Sequence, residues 1–361
     1  MGNTTPQEMM KAAVLKEFGG KITVEHIPKP IPGPRELLVR VKAASLCHSD
    51  VGIIKGNFGK AALPLVVGHE ALGQVESLGE QAKTYGFKIG DMIGDSLWHG
   101  MCLECIPCRD AGPQFCPKRL TKGRSTAGCF AEYALMDAAS AVVINPHGTP
   151  DPSTTLRHLA PVFCAGITVF DAVTRATLAP GETVAVVGAG GLGQICIQYA
   201  SALGAKTIAL DVRDEQLEAS KGEGGADEVI NIVKAGDEVV NILASLNSGR
   251  LADVCIVTSG ANAAYQTALK LLAPLGRLIA VGIPLEPTAI PMRIFINACQ
   301  SLIGAKVPGQ KGTQKCLDFT LRKNILPKIH PRKFNLEDLN EMVELMEAGE
   351  IEMGRMVVEF F

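Results

Sequence analysis

The chain has 361 residues, more than one hydrophobic core usually organises, so two domains are expected. It is 47% hydrophobic and 20% charged, which excludes a disordered or fibrous chain. Its formal net charge of −2 leaves no surplus of Lys and Arg to neutralise phosphates, which argues against nucleic acid as the main partner. No apolar run approaches the roughly 20 residues needed to cross a bilayer. Residues 1–11 lack the apolar stretch of a secretory signal, and Pro6 stands where a Met-Gly myristoylation motif needs a hydroxyl. A cytoplasmic protein without a membrane partner is therefore expected. In a reducing compartment its 11 cysteines read as metal ligands before disulfides.

In chain order, the first 160 or so residues read as β-rich, with short strands at 37–41 and 66–67 separated by Gly and Pro punctuation. Within them, Cys102, Cys105, Cys108 and Cys116 follow the pattern C-x2-C-x2-C-x7-C. Four thiolates on a short loop broken by Pro107, Gly112, Pro113 and Pro117 can close tetrahedrally around one Zn²⁺, the arrangement of a structural site. An iron–sulfur cluster usually shows other spacing, and a nucleic-acid-binding zinc ribbon would carry a basic, aromatic surround that is missing here.

From about Ala179 the rhythm changes to strand–helix alternation. Strands are expected at 183–187, 206–210, 228–231, 253–257 and 277–281, and helices at 192–203, 215–221, 238–246 and 263–272. Such alternation builds a doubly wound parallel sheet, an α/β architecture. Between the first strand and helix, Gly188-Ala189-Gly190-Gly191-Leu192-Gly193 fits G-x-G-x-x-G, with Asp211 closing the next strand. Glycines let backbone approach a pyrophosphate at a helix N-terminus, and a carboxylate at Asp211 would bond ribose hydroxyls and repel a 2′-phosphate. NAD is therefore expected over NADP, with Arg213 nearby as a partial counterweight. The tail after about residue 302 closes with a helix at 337–348 and a strand at 356–359, and is expected to pack back on the first domain.

Three further segments hold polar residues in apolar surroundings: Cys47-His48-Ser49-Asp50, Gly68-His69-Glu70 and Cys164-Ala165-Gly166-Ile167-Thr168. A Cys/His/Cys set leaves a fourth tetrahedral position open, as catalytic zinc requires. Taken singly, such a cysteine is more often a small packing residue than a ligand, and such a histidine more often a satisfied core residue. Cys129, Cys196, Cys255, Cys299 and Cys316 read as packing residues.

With Ala160-Pro161-Val162-Phe163-Cys164, Val281-Gly282-Ile283-Pro284 and Gly354-Arg355 added in the same order, the chain resembles the zinc-containing medium-chain alcohol dehydrogenase family over nearly its whole length, nearest to the tetrameric type of yeasts and bacteria. The resemblance implies a GroES-like catalytic domain (1–165 and 302–361) carrying both zinc sites and a Rossmann NAD-binding domain (166–301). It implies Cys47, His69 and Cys164 as catalytic zinc ligands, with Glu70 as an alternative fourth, Asp50 orienting His69, and Ser49 taking the proton of the alcohol. It further implies His48 and Arg355 at the pyrophosphate, Thr168, Leu192, Val281 and Ile283 at the nicotinamide side, and Phe58 and Trp98 as walls of the substrate pocket.

The implied activity is interconversion of a primary or secondary alcohol with its aldehyde or ketone, using NAD, in a homo-oligomer (a tetramer, or a dimer). A polyol or aromatic-alcohol dehydrogenase of the same superfamily stays open, and a non-catalytic nucleotide-binding module is the reading from another class. The chain departs from the family pattern at Gly52, where the proton relay commonly has a histidine, at Gln216, where a lysine is frequent, and at Phe58, where a tryptophan is frequent; the last implies a wider pocket.

Overall fold

The computed structural model describes residues 7–59, 61–144, 152–351 and 353–360; part of the polar N-terminal stretch, 1–6 with Pro6, lies outside them. Six parallel strands form one sheet in the order Glu228–Asn231, Lys206–Asp211, Thr183–Val187, Ala252–Val257, Leu272–Ala280, Ser301–Gly304. Numbered along the chain this is 3-2-1-4-5-6, the doubly wound order that opens a crevice at the carboxyl ends of the central strands. Thr183–Val187 is buried at every position. A central parallel strand is covered on both faces, which is why it reads as an unbroken apolar run.

The first five strands fall where the alternation predicts them, within a few residues. The sixth was not anticipated. Ser301–Gly304 runs across the expected 301/302 boundary, and with only Leu302 and Ile303 between Ser301 and Gly304 this edge strand is too short to show an apolar run. The helices Ala165–Arg175, Met292–Ala298 and Gln310–Arg322 were also unread. The first and third pack with Gly191–Ala202, where Phe170, Tyr199 and Phe319 meet as an aromatic trio with centroids 5.4–6.0 Å apart.

The β-rich part is built on the long strand Glu36–Ser45. It pairs antiparallel with Glu70–Leu78, with Tyr133–Asp137 and, at its far end, with the C-terminal strand Val357–Glu359. Its alternating and near-continuous buried positions lie over a core that includes Leu37, Val39, Phe130, Met136 and Phe334. The register sets Ser45 opposite both Glu70 and Val357. Residues more than 300 positions apart in sequence are thereby brought to one point, on which the site depends. Among the described residues no single helix is long and apolar enough to cross a membrane.

Candidate metal centres and nucleotide loop

The four-cysteine lobe folds as a five-residue helix, Ile106–Asp110, and a short 3-10 turn, Pro113–Phe115, with Leu103 in a left-handed conformation at φ +63°. The ligand atoms of Cys102, Cys105, Cys108 and Cys116 all lie within 4.8 Å of one another. Cys102 Sγ is 3.9 Å from Cys108 Sγ and 3.5 Å from Cys116 Sγ. Sulfurs held about 2.3 Å from a central zinc would be separated by about 3.8 Å along each tetrahedral edge, so the sulfurs already stand at zinc spacing. Backbone N–H groups of Glu104 and Cys105 pull the Cys102 thiol down to about 6, whereas burial pushes Cys108 up to about 12.

The second cluster is assembled from three separate elements. Cys47 immediately precedes the helix His48–Ile54, His69 and Glu70 stand at the start of the strand Glu70–Leu78, and Cys164 precedes the helix Ala165–Arg175. One ligand atom from each of Cys47, His69, Glu70 and Cys164 fits within 4.8 Å of the others. Asp50 binds two members at once. Its Oδ2 accepts the Cys47 backbone N–H at 3.0 Å and its Oδ1 lies 2.6 Å from His69 Nδ1. With Nδ1 engaged by Asp50, Nε2 is the ring nitrogen that faces the sulfurs, 3.2 Å from Cys164 Sγ. Burial works against protonation of His69, but the Asp50 carboxylate overcomes it and raises the imidazole well above its ordinary value. The hydrogen bond between the two thiols, with His69 and Arg355 nearby, drives Cys47 well down despite its burial.

Glu70 is held back from the cluster by Arg355, whose Nη2 donates to Glu70 Oε2 and whose Nε donates to Ser45 Oγ at 3.4 Å. Burial lifts Glu70 to about 7 in spite of this partner. Its other oxygen, Oε1, is buried with no hydrogen-bond partner. A buried acceptor left without a donor costs about 1–3 kcal/mol, and a cation at the convergence of two thiols, an imidazole and this carboxylate relieves it. The donor set of sulfur, nitrogen and sulfur with one further position fits zinc in its open form.

The glycine loop lies at the carboxyl end of Thr183–Val187, and Gly190 caps the twelve-residue helix Gly191–Ala202. A Cβ at Gly193 would stand 1.8 Å from the Gly188 carbonyl oxygen, so only glycine lets this helix approach the turn so closely. Asp211 Oδ2 accepts the Ala189 N–H at 2.6 Å and Oδ1 accepts the Arg213 N–H at 3.0 Å. The Arg213 guanidinium is turned away, donating to the carbonyls of Gly349 and Ile351. Gln216, in the place where lysine is frequent, is buried; its side-chain amide meets Gln194 at 3.0 Å and donates to Ile351 O at 3.3 Å.

Other residues singled out from the sequence lie as follows. Ser49 is half-buried and His48 exposed in the first turn after Cys47. Thr168 donates its hydroxyl to Cys164 O at 2.6 Å. Val281 is buried and Ile283 exposed, just past the strand Leu272–Ala280 at the crevice end of the sheet. The Arg355 side chain reaches the glycine loop as well as Glu70, its Cδ 2.7 Å from where a Cβ on Gly191 would be.

Trp98 is held on the side of the four-cysteine lobe: its indole N–H donates to Val307 O at 3.1 Å, and Lys306 and Arg119 lie over its ring. Ser45 escaped the sequence reading, and so did the pairing of Glu70 with Arg355, two residues singled out separately. No local signal marks that pairing, because strand register alone brings the three together.

Comparisons with known proteins bear on the same regions. Residues 33–146 match the family model described as alcohol dehydrogenase GroES-like domain, and residues 191–322 match the one described as zinc-binding dehydrogenase. The chain is 35% identical to alcohol dehydrogenase 1 of Emericella nidulans, over 97% of this chain and 98% of that protein. It is 33% identical to an alcohol dehydrogenase of Geobacillus stearothermophilus, over 97% and 99%. Among solved structures, the alcohol dehydrogenase of Aeropyrum pernix superposes with a TM-score of 0.86 at 29% identity, covering 97% of this chain and all of that one. The cobalt- and zinc-bound thermostable alcohol dehydrogenase of Pyrobaculum aerophilum superposes with a TM-score of 0.84 at 25% identity, over 98% and 100%.

Proposed function

The chain belongs to the zinc-containing medium-chain alcohol dehydrogenase family, and from that premise we propose how its own residues divide the work of an NAD-dependent zinc alcohol dehydrogenase. The observation that carries the reading is the convergence of Cys47, His69, Glu70 and Cys164 within 4.8 Å of one another, beside a buried Glu70 oxygen that has no hydrogen-bond partner. When bound, zinc supplies a Lewis acid for the substrate's hydroxyl oxygen and the nicotinamide accepts the hydride.

Everything else is done by the chain. Cys47, His69 and Cys164 hold the ion, and two anionic sulfurs offset its charge. Asp50 fixes the tautomer and direction of His69. Glu70, restrained by Arg355, stands by as a fourth donor. Ser49 takes the hydroxyl proton of the alcohol and hands it to water, since position 52 offers no side chain to carry it further. The unpaired N–H groups at the start of Gly191–Ala202 receive a pyrophosphate, with His48 and Arg355 beside them. Thr168, Leu192, Val281 and Ile283 border the nicotinamide, Asp211 receives the adenosine ribose, and Phe58 lines the substrate side. Cys102, Cys105, Cys108 and Cys116 hold a second, structural zinc. We place the division between the two domains just after Gly304, so that the edge strand stays with its sheet.

Arg213 is engaged with backbone carbonyls rather than with the Asp211 carboxylate's pocket side, which supports NAD over NADP. The experiment is a rate survey over primary and secondary alcohols, aldehydes and ketones with both cofactors. The expected result is turnover with NAD, with kcat/KM at least about 100-fold below this for NADP, since a charged hydrogen bond lost and a like charge gained together cost about 3 kcal/mol. No cofactor reduction with any alcohol would sink the reading.

A homo-oligomer completes the proposal. The free edge Ser301–Gly304 and the helix Met292–Ala298 beside it expose Leu302, Met292, Ile294 and Ile296, with Leu285 and Ile283 close in sequence. An apolar sheet edge of this kind is normally covered, and a second copy covers it. Sedimentation equilibrium is expected to give a dimer or tetramer; a monomer at micromolar concentration would exclude this arrangement.

A further inference from the structure

Gly52 lies inside the helix His48–Ile54 with ordinary helical backbone, so the left-handed freedom of glycine is not what it supplies there. Inside a helix it costs about 1 kcal/mol relative to alanine, and the structure shows what is obtained in return. A Cβ at position 52 would stand 2.3 Å from Phe58 Cε2 and 3.0 Å from both Cδ2 and Cζ. The ring rests on the bare backbone of Gly52 and fills the volume that any other side chain would occupy. Two further contacts hold it there. The chain turns back after the helix so that the Asn57 N–H donates to Gly52 O at 2.9 Å, and Arg124 donates through Nη2 to the Phe58 carbonyl. Ser49 and Gly52 are three residues apart and so share one helix face, and the ring that covers Gly52 is the one assigned above to the substrate side.

We propose that Gly52 is a positioning residue for substrate selection: its missing side chain seats the Phe58 ring back against the helix, and the depth of that seat sets the size of alcohol accepted beside Ser49. The inference rests on the alcohol dehydrogenase reading of the site. It names the favoured class as alcohols with a bulky, aromatic or branched carbon chain. Any side chain at position 52 drives the ring off the helix, by about 1 Å for alanine to restore the 3.4 Å of an ordinary contact. The room above Ser49 then shrinks.

The test compares kcat/KM for benzyl alcohol and for ethanol in the wild type, Gly52→Ala, Phe58→Ala and the double variant, all as zinc-loaded full-length protein with NAD. In Gly52→Ala the benzyl-to-ethanol ratio is expected to fall at least about tenfold, the change that one methylene's worth of pocket commonly makes, with the loss in KM rather than in kcat. In the Phe58→Ala background the same substitution leaves the ratio within about twofold, because the ring it acts through is gone. Thermal unfolding gives a second readout: Gly52→Ala lowers Tm when Phe58 is present, and leaves it unchanged or raises it when Phe58 is absent. An unchanged ratio in Gly52→Ala, or an equal change in both backgrounds, overturns the assignment of Gly52 alone. Absence of turnover in the wild type overturns the alcohol dehydrogenase reading and the selection claim with it.

Discussion

Cys47→Ala is expected to abolish alcohol-dependent reduction of NAD while leaving the protein folded. The sulfur stands at the convergence of His69, Glu70 and Cys164 and is the thiol most readily ionised there, drawn down by its hydrogen bond with Cys164. Metal polarisation of a substrate oxygen is worth several kcal/mol, and each 1.36 kcal/mol is tenfold in rate, so its loss lowers kcat by about three to four orders of magnitude. Stability is affected little. Asp50 still bonds His69, Arg355 still pairs with Glu70, and the helix His48–Ile54 keeps its buried Val51, Ile53 and Ile54 and the Asp50 half of its capping box, losing only the half that the Cys47 sulfur supplies. Steady-state kinetics and the far-UV circular dichroism melt check the two halves of this statement. A variant that kept a tenth of the wild-type rate would remove Cys47 from the metal.

Cys105→Ala is expected to act in the opposite sense, on the fold first. The lobe it belongs to has one helix of five residues, the three prolines Pro107, Pro113 and Pro117 with Gly112 among them, and a strained left-handed residue at Leu103. Such a segment closes little apolar surface of its own, so the energy of metal binding is its folding energy. Loss of several kcal/mol is expected, and at about 2–4 °C per kcal/mol for domains of this size the melting temperature falls by about 10 °C or more.

The damage is not confined to the lobe. Lys306 donates to Gln114 O at 3.2 Å and Trp98 to Val307 O, so the segment 306–307 is tied to the lobe and to the indole beside it. Differential scanning calorimetry of both cysteine variants separates the roles. Equal loss of stability in the two would contradict the division between a site that reacts and a site that holds.

What could be read from the sequence depended on distance along the chain. The four cysteines and the glycine loop are local patterns whose chemistry is complete within 15 residues or one strand–helix turn, and both stand where their spacing placed them. The second metal cluster is different. Cys47, His69 and Cys164 come from three segments, and only folding brings them within 4.8 Å of one another with Glu70. A cysteine or histidine alone in apolar sequence carries no sign of that, and here the family resemblance did what spacing could not.

Features that depend on register or on a single side-chain contact left no trace at all. Ser45 meets Glu70 and Arg355 only because three strands align there. The sixth strand of the sheet is short and exposed, without the apolar run that betrays the central ones. Gly52 showed as a departure from the family pattern, but its physical reason, the Phe58 ring lying where a Cβ would be, belongs to the folded chain alone.

Zinc content measured against protein concentration tests the account most directly, since both halves of the chemistry hang on where the ions are held. The wild type is expected to carry two zinc ions per chain, and Cys47→Ala to retain one, the ion of the four-cysteine lobe. A wild type with a single zinc, or a Cys47→Ala variant that kept both, would contradict it.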